Sequence, residues 1–253
     1  MCLTVFAYKT DDDYPFILAT NRDEFYERPT RAAQFWENHP NLLAGKDLKA
    51  GGTWLGITKD HKFAAITNYR DLTQINENAP SRGHIVTDYL TNDLSPQDYF
   101  KKIEQNAPAY NGFNLLYGYV DDLYYFNNQH VQLQKVKPGY HTLSNAYLDS
   151  NWPKSNKALT DFKETLNNHP DDPKHYFKFL QNSRQFPDHL LPSTGLPIEK
   201  ERMVSSIFIQ SEDYGTRCST LLFADPDQET TFIEKTYING SKDDTNTVTF
   251  ALE

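Results

Sequence analysis

The chain opens with Met1-Cys2-Leu3-Thr4-Val5-Phe6-Ala7-Tyr8, and a second apolar run, Phe16-Ile17-Leu18-Ala19-Thr20, leads directly into Asn21-Arg22-Asp23-Glu24. Both runs are rich in β-branched and aromatic residues, and the turn-forming residues 10–15 separate them, a pattern typical of a β-hairpin. An antiparallel hairpin with a short loop returns the end of its second strand to the beginning of its first. The pattern therefore predicts that the charged tetrad 21–24 lies beside Cys2.

Cys2 directly follows the initiator methionine and is small enough for the enzyme that removes Met1, so we expect the mature chain to begin with Cys2. A thiol is the most readily activated nucleophile among the side chains, and an α-amine with a pKa of about 8 can accept its proton near neutral pH. One residue would then carry both nucleophile and base. The alternative is that Cys2 is a small apolar residue that starts a strand.

Composition limits the class of protein. The 253 residues suffice for a sizeable core, show no domain boundary, and are 14% aromatic, which suits a β-rich interior. The net charge of −9 and a pI near 5.4 argue against nucleic acid or an anionic membrane as the main partner. No eighteen consecutive apolar residues occur, so we predict a cytoplasmic chain without membrane insertion. Two cysteines without ligand spacing predict no metal site, no cofactor and no Cys2–Cys218 disulfide.

The order of elements indicates an α+β fold in a single domain, residues 1–253, with two sheets between helical layers. Residues 25–49 read as a long loop, a second hairpin covers 55–67, and a helical pair follows, the second member capped by Ser95. Strands are expected over 113–143, helices over 154–166 and 173–181, a loop over 184–201, and strands again from 203 to 252.

Several motifs occur in a fixed order along nearly the whole chain. They are Cys2, Asn21-Arg22-Asp23-Glu24, Gly51-Gly52-Thr53-Trp54-Leu55-Gly56, Thr67-Asn68-Tyr69-Arg70, Gly112-Phe113-Asn114-Leu115, Leu143-Ser144-Asn145, Trp152-Pro153-Lys154 and Tyr214-Gly215-Thr216-Arg217-Cys218-Ser219. This set resembles the NRDE family, also called the transport and Golgi organisation protein 2 family. The resemblance implies the four-layer αββα sandwich of the N-terminal nucleophile hydrolases, related to the choloylglycine hydrolase and penicillin V acylase group.

The resemblance also implies a set of catalytic residues. They are Cys2, Arg22, Asp23, Asn68, Asn145 and Arg217. Asp23 would orient the α-amine, an arginine beside the sulfur would favour thiolate, and the asparagine amides would stabilise an oxyanion. Arginine and aspartate are spaced further apart in those acylases, and adjacent residues on a regular strand face opposite sides. The alternatives are ion pairs for the arginines, a loop cap for Asp23 and turn hydrogen bonds for the asparagines.

Three further residues complete the predicted site. Asn21 and Glu24 flank the charged pair, and Trp54 follows a double glycine, where an aromatic ring either walls a substrate pocket or joins the core. Asn114, inside an apolar run, is expected to bridge strands.

The predicted function is that of an N-terminal cysteine hydrolase. Cys2 would cleave a non-peptide amide bond of a small acyl-amide substrate through a thioester. The alternative is a carrier of lipid, acyl groups or haem on the same fold, because a Cys thiolate can ligate haem iron. A purely structural role explains the polar clusters at strand ends poorly.

Overall fold

The computed structural model describes residues 2–12, 14–224 and 229–252. These residues form thirteen strands and five α-helices. The strands are β1 (Cys2–Tyr8), β2 (Phe16–Phe25), β3 (Thr30–Trp36), β4 (His39–Asp47), β5 (Leu55–Thr58), β6 (Lys62–Asn68), β7 (Phe113–Tyr119), β8 (Asp122–Asn127), β9 (Gln132–Lys135), β10 (Gly139–Leu143), β11 (Tyr214–Ala224), β12 (Thr230–Tyr237) and β13 (Thr245–Leu252). The helices are α1 (Gly83–Leu90), α2 (Pro96–Asn106), α3 (Pro153–Asn168), α4 (Pro173–Leu180) and α5 (Ile198–Met203).

The first sheet is antiparallel, with the strand order β10-β1-β2-β11-β12-β13. Its register places Cys2 directly opposite Arg22, and Arg22 opposite Cys218 on the next strand. The hairpin expected at the chain start is therefore present, and β2 runs on to Phe25, so the charged tetrad lies within the strand. Cys2 is the first residue of an interior strand.

The second sheet is also antiparallel, with the order β3-β4-β5-β6-β7-β8-β9. One apolar core fills the space between the sheets, centred on Phe6, Phe16 and Phe63. A second core joins α1 and α2 to the second sheet, and a third joins α3 and α4 to the first. These three interfaces make a four-layer αββα sandwich, which confirms the predicted fold class.

Three expected features are wrong. The loop expected over residues 184–201 stops at Ile198, where α5 begins. Residues 25–49 are not a loop, because β3 and β4 form a hairpin. Ala33, Trp36 and Leu43 of this hairpin are buried, and the Trp36 indole donates to the Ala44 carbonyl at 3.0 Å. Some of the polar residues that suggested a loop, such as Arg31, Glu37 and Asn41, are exposed.

Residues 204–209 are not a strand, although they are buried. Two of their backbone amides do not pair with a neighbouring strand. The Phe208 amide donates to the Asn182 carbonyl, and the Ile209 amide donates to the Thr216 hydroxyl. This segment therefore wraps around the end of the first sheet.

Strand alternation decides which side chains meet at the chain start. Phe6 and Leu18 belong to the core between the sheets, whereas Val5 and Ala19 belong to the core beneath the helices. Counting along the strands in steps of two places Cys2 and Arg22 on the inter-sheet face, and Asn21 and Asp23 on the helix face. Within the described residues, no helix is long and apolar enough to cross a bilayer.

Candidate active site

Cys2 lies at one end of the inter-sheet space and lines a cavity of about 430 Å³. The walls of this cavity, here called the polar lobe, carry charged and amide side chains. They include Arg22, Glu24, Arg28, Asp47, Lys49, Trp54, Asn68, Glu77, Arg82 and Asn111. Two other surface cavities, of about 420 and 580 Å³, lie beside α1, and none of their lining residues belongs to the predicted site.

The surroundings of the Cys2 thiol shift its pKa in opposite directions. Burial raises its pKa, and the Asp23 carboxylate acts in the same direction, while the Arg22 guanidinium and the Asp23 backbone N–H, which donates to the sulfur, lower it. Thiolate is the reactive form of cysteine. Activation therefore depends on the cations and donors around the sulfur.

The Arg22 guanidinium is buried and held in a fixed position. It stacks over the Trp54 ring at 4.1 Å and approaches Glu24 Oε2 at 3.9 Å. Across the sheet it faces Cys218, and both cysteines are free thiols. Two strand spacings, roughly 9–10 Å, separate Cys2 from Cys218, which is too far for a disulfide.

Asp23 occupies the opposite face of the same strand. Its Oδ1 accepts a hydrogen bond of 2.7 Å from the Thr216 hydroxyl, and Tyr214 Oη donates to its backbone carbonyl. Burial raises the pKa of Asp23, whereas Lys154, Thr216 and Arg22 act to lower it. Asp23 also lines the polar lobe with Cys2, and it directly follows Arg22, the partner of Cys2 on β2.

Asn68 ends β6 and lines the polar lobe with a half-buried side chain. Its backbone carbonyl accepts a 2.9 Å hydrogen bond from Asn145 Nδ2. Asn145 is 1% exposed and is not among the described residues that line the lobe. The two asparagines thus lie together, with Asn68 in the cavity and Asn145 behind it.

A buried polar network connects the two sheets beneath Cys2. The Ser144 hydroxyl donates to the Cys2 carbonyl at 2.9 Å, and the Ser144 carbonyl accepts from Thr67 Oγ1 at 2.5 Å. Asn114 Nδ2 donates to Thr67 Oγ1 and to the Ala146 carbonyl. Asn114 therefore bridges strands, as the sequence suggested, and holds the network that fixes the backbone of Cys2.

A second cavity of about 290 Å³, here called the apolar lobe, adjoins the first. Both lobes share Glu24, Asn68, Arg82 and Asn111 as lining residues. The remaining walls are mostly aromatic and aliphatic, and include Phe25, Tyr69, Leu72, Ile75, Leu196 and Tyr214. Cys2 therefore opens onto a cleft with two chemically different ends.

Two predicted residues lie elsewhere. Arg217 is the extra residue of a β-bulge in β11. Its Nη1 donates to the carbonyls of Phe25 and Arg28, so it holds the connection between β2 and β3. It lines neither lobe. Asn21 points to the helix face, where its Nδ2 donates to the carbonyls of Leu180 and Ile207. We therefore leave both residues out of the proposed catalytic set.

Glu24 and Trp54 do line the polar lobe. Glu24 Oε2 lies 3.7 Å from the Arg28 guanidinium, and Arg28 in turn binds Asp47 at 2.6 Å. Trp54 forms a wall and also packs against the two cores on either side of the second sheet. Both interpretations of this tryptophan, pocket wall and core residue, therefore apply.

Sequence reasoning missed two cations of the site. Arg82 lines both lobes, and its charge attracts a Cys2 thiolate. Lys154 approaches Asp23 from the helix side. Lys154 is part of the Trp152-Pro153-Lys154 motif, but the sequence analysis assigned it no function. Arg82 belongs to none of the motifs.

Within the part of the chain that the structure describes, no group of three or more His, Cys, Asp or Glu side chains is arranged to hold a metal ion. The chemistry available at the cleft is that of a thiol, amides, carboxylates and guanidinium groups.

Solved structures that share this fold include two proteins named for hydrolysis. A Caenorhabditis elegans N-acylethanolamine-hydrolyzing acid amidase ortholog superposes with a TM-score of 0.53 at 10% identity, covering 90% of this chain and 95% of that chain. The C2A mutant of the conjugated bile acid hydrolase from Clostridium perfringens gives 0.53 at 9% identity, covering 98% and 92%. At such identities the likeness establishes the fold, that of the N-terminal nucleophile hydrolases.

Relatives by sequence carry a different name. The Bos taurus and Homo sapiens proteins called Transport and Golgi organization protein 2 homolog are 34% and 33% identical to this chain, over 100% of both lengths. The Drosophila melanogaster Transport and Golgi organization protein 2 is 26% identical over 93% of this chain and 92% of its own. The sequence model of the family Transport and Golgi organisation 2 matches residues 1–239. The chain therefore belongs to the Transport and Golgi organisation 2 family, built on the fold of the N-terminal nucleophile hydrolases.

Proposed function

We propose that this protein is an N-terminal cysteine amidohydrolase that cleaves the linear C–N bond of a small acyl amide. One observation carries the proposal. Cys2 lines the polar lobe of a two-lobed cleft, with Arg22 paired opposite it on β2 and Asp23 next to Arg22. The adjacent Arg22 and Asp23 can therefore both act, one on the thiol face and the other on the amine face.

Catalysis begins once Met1, which lies outside the described residues, has been removed. The Cys2 thiol gives its proton to its own α-amine, and the sulfur attacks the substrate carbonyl to form an S–C bond. The C–N bond breaks as the ammonium returns the proton to the leaving amine. A water molecule, deprotonated by the same amine, then hydrolyses the thioester and releases the carboxylic acid and the free thiol.

The Asn68 side-chain amide is the proposed oxyanion donor. It lines the cleft beside Cys2, whereas Asn145 uses its Nδ2 to hold the backbone carbonyl of Asn68. Preorganised amide donors are effective because they need no rearrangement as the negative charge develops. Asn145 is thus a positioning residue in this proposal, and Asn68 contacts the substrate.

The two lobes suggest which part of the substrate goes where. Phe25, Leu72 and Ile75 line the apolar lobe and are 48%, 37% and 56% exposed, an unfavourable arrangement unless an apolar group covers them. We assign the acyl group to this lobe. The amine part would then lie in the polar lobe, among Arg28, Lys49 and Arg82. The two solved structures named above bear names of hydrolases, which supports the proposed hydrolysis.

The first test is the intact mass of protein that carries no N-terminal tag, before and after brief iodoacetamide treatment at neutral pH. We expect loss of one methionine and a single rapid alkylation that maps to Cys2, with the buried Cys218 unmodified. A retained methionine with slow labelling would refute the mechanism, because the proposed base would be an amide nitrogen.

Turnover is tested with a panel of acyl amides of increasing chain length, measured by release of free amine. Wild type should release amine catalytically, and Cys2→Ser and Asp23→Ala should not. Stoichiometric binding without amine release would instead identify a carrier, and a haem titration followed by visible absorption would then show whether haem is the cargo.

A further inference from the structure

The loop that joins β6 to α1, residues 69–82, runs along both lobes of the cleft. All residues from 69 to 75 except Thr73 line the apolar lobe, and residues 77 and 79–82 line the polar lobe. Asn76 lies between these two parts. The loop therefore forms a wall that passes from one lobe to the other.

The dipeptide Asn111-Gly112, just before β7, holds this loop at three places. At the start of the loop, the Tyr69 amide donates to the Gly112 carbonyl at 2.9 Å. At its end, Arg82 Nη1 donates to the same carbonyl at 2.9 Å. In the middle, the Asn76 amide donates to Asn111 Oδ1 at 2.8 Å, and Asn111 Nδ2 donates to the Asn76 carbonyl at 2.9 Å.

The position of this dipeptide follows from the pairing of β6 with β7. Asn68, the proposed oxyanion donor, pairs with Phe113, so Tyr69 and Gly112 come next to each other at the end of the ladder. A Cβ added at Gly112 would lie 3.0 Å from Tyr69 Cβ and 3.2 Å from the Tyr69 carbonyl oxygen. Such a close approach of two backbones favours glycine, which explains the first residue of the Gly112-Phe113-Asn114-Leu115 motif.

Asn111 is the member of the dipeptide that acts through its side chain. It is half-buried, lines both lobes and pairs with both backbone groups of Asn76, in a stretch that is exposed from residue 72 to residue 78. Among the described residues, one other hydrogen bond ties residues 72–78 to a part of the chain outside the loop. It runs from the Leu72 amide to the Thr194 carbonyl and is 3.4 Å long. The position of this stretch therefore depends mainly on Asn111.

We propose that Asn111 is a positioning residue that determines acyl specificity, because it holds the loop 69–82 as the wall between the acyl and amine subsites. The inference rests on the proposed function. Leu72 and Ile75, which would contact the acyl group, lie in the part of the loop that leads to Asn76, so fixing Asn76 fixes the shape of the apolar lobe. A wall that is already in place spares the substrate the cost of ordering the loop. Asn111 takes no part in the chemical step.

The test compares two amides of the same amine, one with a dodecanoyl and one with an acetyl group. Only the longer acyl group can extend along Leu72 and Ile75, so only its binding depends on the wall. In Asn111→Ala we expect KM for the dodecanoyl amide to rise about tenfold, the effect of losing one or two neutral hydrogen bonds. Its kcat, and kcat/KM for the acetyl amide, should stay within about threefold of wild type.

Two variants accompany this comparison. Asn78→Ala is the matched control, because Asn78 belongs to the same loop, its side chain makes none of the described hydrogen bonds, and it lines neither lobe. It should keep the wild-type KM for both amides. Asn111→Asp keeps the shape of the side chain but places a carboxylate oxygen against the Asn76 carbonyl, so at pH 7 it should share the defect of Asn111→Ala.

Two results would contradict the proposal. The first is a loss in Asn111→Ala that is as large for the acetyl amide as for the dodecanoyl amide. The second is a loss that appears in kcat, because Asn111 would then act on the chemical step.

A second measurement needs no turnover. In a Cys2→Ala background, cis-parinaric acid, a fluorescent fatty acid, is titrated, and chymotrypsin cleavage within residues 69–82 is followed by mass spectrometry. We expect Asn111→Ala to bind this probe about tenfold more weakly and to be cleaved in the loop about tenfold faster. Wild-type affinity and a wild-type cleavage rate would overturn the proposal.

The same contact can be broken from the exposed side of the loop. Asn76→Pro removes the amide that donates to Asn111, and Ile75 before it already has the extended backbone that a following proline requires. This variant should weaken probe binding in the same direction even if Asn111→Ala does not fold. Wild-type affinity in Asn76→Pro would count against the proposal.

The two proposals fail in different ways. If no amide is turned over, the hydrolase proposal fails, although probe binding and loop cleavage still test the wall. If amides are turned over and Asn111→Ala keeps the wild-type ratio between the two amides, only the inference on Asn111 fails.

Discussion

The contrast between Asn68 and Asn145 separates catalysis from folding. In Asn68→Ala the backbone carbonyl that accepts from Asn145 remains, and none of the described hydrogen bonds involves the Asn68 side chain. We therefore expect the free energy of unfolding to change by no more than about 0.5 kcal/mol. The turnover number should fall by about 100- to 1000-fold, or ~2.7–4 kcal/mol, because the oxyanion loses its amide donor.

Asn145→Ala should behave differently. It removes the 2.9 Å hydrogen bond to the Asn68 carbonyl at a position that is 1% exposed. A buried acceptor left without its donor costs about 1–3 kcal/mol, so this variant should lose stability as well as activity.

Two assays give the comparison: steady-state amine release on an amide that wild type turns over, and urea unfolding followed by circular dichroism. Asn78→Ala, in an exposed loop, is the matched control and should change neither quantity. The reasoning is refuted if Asn68→Ala keeps the turnover number within about threefold of wild type. It is also refuted if Asn68→Ala is destabilised as much as Asn145→Ala.

Three further predictions concern residues outside the proposed catalytic set. Arg70→Met strands the buried Glu201 carboxylate and should cost about 3–5 kcal/mol in urea unfolding at pH 7, whereas replacing both residues with apolar ones should cost less. His141 faces Asp149 and a carbonyl with its two ring nitrogens; burial lowers its pKa, but these acceptors outweigh burial and raise it overall. The contribution of protonated His141 to the free energy of unfolding is therefore complete below a pH of about 6.5, and it is lost as the pH rises through the folded-state pKa. Urea unfolding at a series of pH values should show a weaker decline in His141→Gln. Arg217→Ala should leave the alkylation rate of the nucleophile within about twofold of wild type, because the side chain binds loop carbonyls, and a larger decrease would return it to the catalytic set.

The hairpin at the chain start could be predicted because its strand pattern and turn residues are local. The pairing of Cys2 with Arg22 also determines which neighbouring side chains face the thiol, and the sequence prediction for Asn21 did not take this into account. Once that pairing is assumed, alternation puts Asn21 on the same face as Asp23 and away from the thiol. The apolar residues of β2 are buried on both faces, so hydrophobicity alone does not show this alternation.

The missed features depend on contacts distant in sequence. The bulge that displaces Arg217 appears only when β11 is paired with β2. Residues 204–209 are apolar enough for a strand, but their hydrogen bonds go to Asn182 and Thr216. Lys154 and Asp23 are separated by more than a hundred residues, and they interact electrostatically only because α3 packs against the first sheet.

The place of β1 in its sheet has a practical consequence for recombinant protein. β1 is an interior strand whose first residue opens on the cleft, so an affinity tag fused before Cys2 would emerge at the proposed active site. β13 is the edge strand of the same sheet, four strands away, and it carries the other end of the described chain. A C-terminal tag leaves from that edge. An inactive N-terminally tagged preparation would consequently not test the proposed hydrolase activity.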